Sequence, residues 1–214
     1  MSSVTVRKDL RSRVGPARDQ GDRPTCIAFA MSDTHAAARE PWSALSCEYL
    51  FYHAKRREKT PPTAGASTKS VREALEHDGQ PAEAGWGYLP TLPKDLKLWL
   101  PPTSVGDVFR RPSIPLSGGF VAAWDSVEAD TPVMLVMSIS DAFYLENGGD
   151  LIESSEPVDP IRRHAVVAVA TGERAGMRFL LARNSWGSTW GDGGYAWIAE
   201  LYMAPRIVTM TTVN

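Results

Sequence analysis

Cysteine is scarce in this chain: two residues in 214, Cys26 and Cys47. That is too few for a disulfide framework, and a chain of this length can bury a sizeable core without one. Histidine is scarce too, and the four residues, with two cysteines, match no zinc-site spacing. Long apolar runs are missing; none approaches the roughly 18 residues that span a bilayer. The first ten residues hold no apolar core and no small-residue cleavage site, so no signal peptide is read there. An excess of one charge is missing as well. Lys and Arg number 23 against 25 Asp and Glu, a net charge of -2, so no global basic footprint points to nucleic acid. The local basic runs, 11–18 and 55–59, read as solvated faces. No metal, nucleotide or flavin motif is present, and no cofactor is expected. Without an export signal the two thiols are expected to be reduced and the protein cytoplasmic, with a non-classical secretion route left open.

What remains is an ordinary globular composition, 43% hydrophobic and 22% charged, which excludes a disordered chain and a coiled coil. At roughly 150 residues per domain the length gives one to two domains. Glycine and proline punctuate it throughout, without repeats. The first half reads as helical. Residues 25–39 carry Ile27, Ala28, Ala30, Met31, Thr34, Ala37 and Ala38 at near-helical spacing, with Pro41 as the stop. A second helix is expected over 46–58 with Ser46 as N-cap, and a third over 68–77, closed by Gly79 and Pro81. A short helical turn is expected over 94–100. The second half is β-rich: 133–139, 164–170, 178–183, 194–198 and 206–213 read as strands, with one helix over 119–129. A helical part followed by a β-rich part predicts an α+β chain of two packed lobes, with a site in the cleft between them. The boundary is expected in the Pro- and Gly-rich stretch 101–119.

The chemistry centres on Cys26, at the expected start of the first helix. Free N–H groups and the positive end of the helix dipole favour a thiolate there, and the thiolate is the nucleophile. Taken alone, a cysteine in that place is more often an ordinary small buried hydrophobe. Gln20, six residues earlier, adds an amide that can donate near the sulfur. With the Cys26 N–H it makes a two-donor oxyanion hole. His164 opens an apolar strand, and a second strand ends at Asn184. If the two pair antiparallel across a turn at 171–176, His164 and Asn184 meet at one end of the hairpin. The asparagine then holds one imidazole nitrogen while the other faces the sulfur, which makes nucleophile, base and orienting group.

Three blocks in this order resemble the papain-like cysteine proteases of the C1 type. Gln20-Gly21 with Thr25-Cys26-Ile27-Ala28-Phe29 is similar to the family's Gln-Gly…Ser-Cys-Trp-Ala-Phe. His164-Ala165-Val166-Val167 is similar to its His-Ala-Val block. Asn184-Ser185-Trp186-Gly187, Trp190-Gly191 and Gly193-Gly194-Tyr195 are similar to its Asn-Ser-Trp-Gly…Trp-Gly…Gly-Tyr block. His164 lies 138 residues after Cys26, inside the roughly 130–150 quoted for that family, and Asn184 lies slightly beyond it, as one longer loop would produce. The segment 89–117 is where the resemblance is least clear.

The resemblance implies a papain-like two-lobe fold, an α+β arrangement with a helical left lobe (18–105) and a β-barrel-like right lobe (106–214 with 1–17), in a single catalytic domain. It implies a cysteine endopeptidase working through an acyl-thioester. Cys26 takes the role of nucleophile, His164 of base and then acid, Asn184 of orienting group, and Gln20 of oxyanion donor. Trp186 is implied as the indole shielding the His–Asn hydrogen bond. Gly65-Ala66 resembles the Gly-Gly stretch that binds substrate backbone, a plain turn being the other reading. Leu135 and Ala165 are expected in the wall of the main pocket, which suits a medium hydrophobic side chain.

Departures from the family stand at several places. Arg23 occupies the position where a disulfide cysteine is usual, and Pro24 follows it where a glycine is common. Ile27 replaces a tryptophan. Arg162 and Arg163 precede His164, where they either lower its pKa by like-charge repulsion, attract an acidic substrate side chain, or are simply solvated. Only 25 residues precede Cys26, about a mature family N-terminus. A bacterial-type variant without propeptide or disulfides is therefore expected, acting on a peptide or protein substrate and restrained by narrow specificity or by a regulatory or inhibitory protein partner. Neither nucleic acid nor membrane is expected as a partner. Two other functions fit the same residues: a catalytically silent papain-like binding or regulatory module, and a transpeptidase variant that passes the acyl group to an amine.

Overall fold

The computed structural model describes residues 4–145 and 149–213. Three helices form the first half: α1 (Cys26–Ala37), α2 (Cys47–Glu58) and α3 (Thr68–His77). Every residue of α1 from Ile27 to Ala37 is buried, the polar run Ser32, Asp33, Thr34 and His35 included. Ser46 caps α2 by accepting from the Tyr49 N–H at 3.0 Å, and Ser67 caps α3 by accepting from the Ser70 N–H at 3.1 Å. The expected turn at 94–100 is a short 3-10 segment, Leu96–Leu98.

The second half builds one large sheet. Its strands are β1 (Thr5–Asp9), β4 (Ser113–Leu116), β5 (Val133–Ser138), β6 (Leu151–Ile152), β7 (Arg163–Arg174), β8 (Met177–Arg183), β9 (Tyr195–Ala199) and β10 (Ile207–Val213). The order is β4-β10-β5-β7-β8-β9-β6, with β1 added to β7 beyond the end of β5. The sheet is open, with β4 and β6 at its ends. The β-rich part is therefore not a closed barrel among the described residues. A separate two-stranded ladder pairs β2 (Gln80–Pro81) with β3 (Val108–Phe109). The chain passes from that ladder into the large sheet between Phe109 and Ser113. Helix α4 (Gly119–Glu128) packs beside β7 and β10, and a one-turn helix, α5 (Glu200–Met203), follows β9.

The β7–β8 turn is tighter than expected. The strands run out to the Arg174–Met177 pair, and only Ala175 and Gly176 connect them, both at positive φ (50° and 78°). Two such residues match the twist of a right-handed hairpin. The longer hairpin continues down to Val167 opposite Arg183, which delivers His164 and Asn184 to the same end.

Alternation along the strands divides the core in two. Leu135, Met137, Val166 and Ala168 face α4, Trp190 and Tyr202, while Met134, Ala165, Val167 and Val169 face α1 and its neighbours. A third cluster of Phe51, Tyr52, Trp86 and Trp99 sits beneath α2. No helix of the described residues is long and apolar enough to cross a membrane.

Candidate active site

Cys26 is the first residue of α1. The preceding cap residue, Thr25, does not use its hydroxyl on the helix; that oxygen is hydrogen-bonded to the Tyr88 hydroxyl at 2.9 Å. The helix N-terminus is thus left free toward the sulfur. The N–H groups of Ala165, Ile27 and Cys26 itself act to lower the thiol pKa, but burial outweighs them and the net shift is upward.

His164 stands on β7 opposite Met137 of β5. Its Nε2 and the Asn184 Oδ1 are 2.6 Å apart, and the same Oδ1 accepts from the Ser185 N–H at 2.8 Å. An oxygen engaged with an N–H donor assigns the Nε2–H tautomer and leaves Nδ1 as the free acceptor. Burial, opposed by the Asn184 bond, pushes the His164 pKa down to about 4. Arg162 and Arg163 do not contribute to that shift, so of the three readings of this pair the like-charge one is not what lowers the His164 pKa. Trp186 lies against the ring (centroids 4.6 Å), and Phe143 packs beside both, 5.6 Å from His164 and 5.5 Å from Trp186.

Cys26 and His164 open into one cavity of about 330 Å³, walled by Pro24, Gly65, Ala66, Val136 and Ala165. One expected wall residue lies elsewhere. Leu135 is fully buried against α4, on the opposite face of the sheet, and its neighbour Val136 lines the cavity instead. A one-residue step along a strand reverses the face, which is the physical reason for that correction. Trp186 covers His164 and does not line the cavity. Gly65 and Ala66 do line it, with the Gly65 carbonyl held from behind by Lys55 Nζ at 2.9 Å.

Gln20 is buried and doubly anchored. Its Oε1 accepts from the Ser185 hydroxyl at 2.6 Å, and its Nε2 donates to the Arg23 carbonyl at 2.7 Å. The second Nε2 hydrogen remains for another acceptor. Ser185 therefore couples Gln20 to Asn184, a role its place beside the asparagine only hints at. Tyr88 was not singled out from the sequence either. Its hydroxyl donates to the Gln20 carbonyl at 2.7 Å while Thr25 donates to it, so it ties both ends of the 20–25 loop.

Arg23 explains itself through Glu48 of α2. The guanidinium donates to both Glu48 oxygens, at 2.6 and 3.0 Å, and to the Leu89 carbonyl. Glu48 is fully buried and also accepts from Trp99 Nε1 and the Leu89 N–H. A second buried pair joins Arg183, next to Asn184, to Asp33, two turns along α1 from Cys26, at 2.7 Å. The Arg183 guanidinium also holds the Gly15 and Pro16 carbonyls.

A family model described as papain family cysteine protease matches residues 121–211. The chain is 26% identical to mouse pro-cathepsin H over 85% of its own length and 55% of that protein's. It is 25% identical to cysteine proteinase 3 of Entamoeba histolytica over 90% of its length and 62% of that protein's. Over most of its length the chain is thus similar to papain-like cysteine proteases. The papain-like fold extends over the whole chain: a cysteine protease from Carica candamarcensis superposes with a TM-score of 0.76 at 19% identity, covering 96% of both chains. Xylellain, a cysteine protease from Xylella fastidiosa, gives 0.73 at 17% identity over all of this chain and 93% of its own. The chain spans little more than half the length of the curated relatives it matches end to end. Arg23, at the position where the resemblance leads one to expect a disulfide cysteine, is instead paired with Glu48, and both cysteines are free.

Proposed function

We propose that this chain is a cysteine endopeptidase in which Cys26, His164, Asn184 and Gln20 carry the chemistry. The observation that supports this most is the sharing of one cavity by Cys26 and a His164 whose Nε2 is fixed by Asn184. Burial disfavours a lone thiolate and a lone imidazolium alike. Moving the thiol proton to His164 Nδ1 makes both ions at once, so each offsets the desolvation of the other. The sulfur then attacks the scissile carbonyl carbon. Charge builds on the carbonyl oxygen, where the Cys26 N–H and the remaining Gln20 hydrogen are available. As the C–N bond breaks, His164 returns its proton to the leaving amine. Water, deprotonated by His164, then attacks the thioester and regenerates the thiol.

Val136, Ala165 and Val208 make the cavity wall largely apolar, which suits a hydrophobic substrate side chain. The substrate is read as a peptide or protein, with a regulatory protein partner restraining access. Free cysteines and an ionic brace in place of a disulfide fit a reducing, cytoplasmic setting. The test is intact-mass spectrometry with an epoxysuccinyl peptide, on wild type and on Cys26→Ala, beside a peptide-cleavage assay. One adduct and cleavage, both abolished by Cys26→Ala, are expected. No adduct, with Cys26 titratable only after unfolding, would favour a silent binding module. An acylated enzyme that yields only amine-exchanged product would favour the transpeptidase.

A further inference from the structure

We propose that Arg163 makes this cleft selective for a substrate with an acidic side chain next to the scissile bond, an inference that rests on the peptidase reading above. Two arginines precede His164, but they differ in what they touch. Arg162 donates to Asp159 at 2.7 Å and to Asp141 at 2.6 Å. Arg163 is exposed at the first position of β7, and its guanidinium has no hydrogen bond or ion pair among the described residues. It lines the same cavity as Cys26 and His164.

Among the described residues, no carboxylate lines that cavity to neutralise it. Glu58, behind the Gly65–Ser67 wall, is occupied by Lys55 Nζ, the Ser67 N–H and the Ser70 hydroxyl. The hydroxyls of Thr68 and Thr209 are bonded to one another at 2.9 Å. The rest of the wall is apolar, Val136, Ala165 and Val208 among it. An uncompensated cation over low-dielectric walls concentrates anions at the cleft. A guanidinium is also the side chain best shaped to take a carboxylate through two parallel hydrogen bonds. The apolar wall and the cation together describe a peptide with one hydrophobic and one acidic side chain flanking the cleavage point.

Two readouts separate this inference from the peptidase reading. The first is kcat/KM for matched peptides that differ only in Glu, Gln or Lys at each position around the scissile bond. The second is the ratio of the Cys26 alkylation rates by iodoacetate and iodoacetamide, which reports local positive charge without any peptide cleavage. Wild type should favour Glu over Gln at one position by about threefold to fivefold, the yield of one exposed ion pair, and less so at high salt. Arg163→Gln should abolish that preference and lower the iodoacetate-to-iodoacetamide ratio by a similar factor, and Arg163→Lys should retain most of both. A Glu preference that survives Arg163→Gln, or no preference in wild type, overturns the proposal. No cleavage of any peptide, with an alkylation ratio that still falls in Arg163→Gln, removes the peptidase reading and leaves Arg163 as the anion-selecting group of the cleft.

Discussion

At the scale of single residues, the site sets a thiol and an imidazole in surroundings that oppose either charge alone. Removing the sulfur isolates the imidazole. In Cys26→Ala, burial should hold His164 neutral down to about pH 4, since only the Asn184 bond favours its protonation. Its ring resonances, followed by NMR from pH 8 to 3.5, should stay at their neutral positions above about pH 5. A midpoint at or above the ordinary histidine value would contradict the buried assignment. The residues of this pair were readable from the chain because their chemistry demands particular types at particular ends of elements. Leu135 was misplaced for the opposite reason. Leu135 and Val136 are both apolar and adjacent, and only the pleat decides which of them meets the cleft.

At the scale of elements, the loop before α1 is held by ion pairs and hydrogen bonds from several directions. Glu48 on α2 receives Arg23 through two oxygens, together with Trp99 and Leu89 from a segment with little sequence signal of its own. Breaking a buried pair from one side leaves an uncompensated charge, which costs about 3–5 kcal/mol. Glu48→Ala should therefore lower stability by that order in urea denaturation and slow the reaction of Cys26 with an epoxysuccinyl peptide. A loss below about 1 kcal/mol would mean that the brace is not a structural element of the loop. The helices α1 to α3 were legible to within a few residues, because Ser46, Gly79 and the apolar spacing mark their ends. The strands β1 and β4 were not. β1 is short and almost wholly exposed, and β4 carries a proline, so neither has the apolar alternation that announces a strand.

At the scale of the whole molecule, two histidines are buried in neutral form. His35 on α1, bonded to Gln80 at 3.0 Å, is pushed down to about 4 chiefly by burial, as His164 is. The unfolded chain binds protons on both below about pH 6.5, while the folded chain refuses them until about pH 4. Stability is therefore complete above pH 6.5 and falls as the pH drops through that window. His53, also lowered by burial, acts in the same direction. Measured by urea denaturation in a Cys26→Ala background, stability should fall from pH 7.5 to 5.5 by about 1.4 kcal/mol for each fully buried histidine. His35→Gln should remove one such share of the drop. An unchanged pH dependence in that variant would show that His35 is accessible to protons in the folded state.

The chain by itself determined that Cys26 opens a helix, that His164 and Asn184 meet at one end of a hairpin, and that the fold is α+β. These are local properties: caps, turn residues, apolar period and residue chemistry act within a few positions of one another. The tertiary structure alone decided that the sheet stays open, that Val136 and not Leu135 faces the cleft, and that Tyr88, Ser185 and Glu48 lock the loop around Cys26. It also decided that Arg162 is spent on two aspartates while Arg163 is left to the cleft. Each of those outcomes depends on which partners distant segments bring into contact, and side chains of the same type become different groups once their neighbours are chosen.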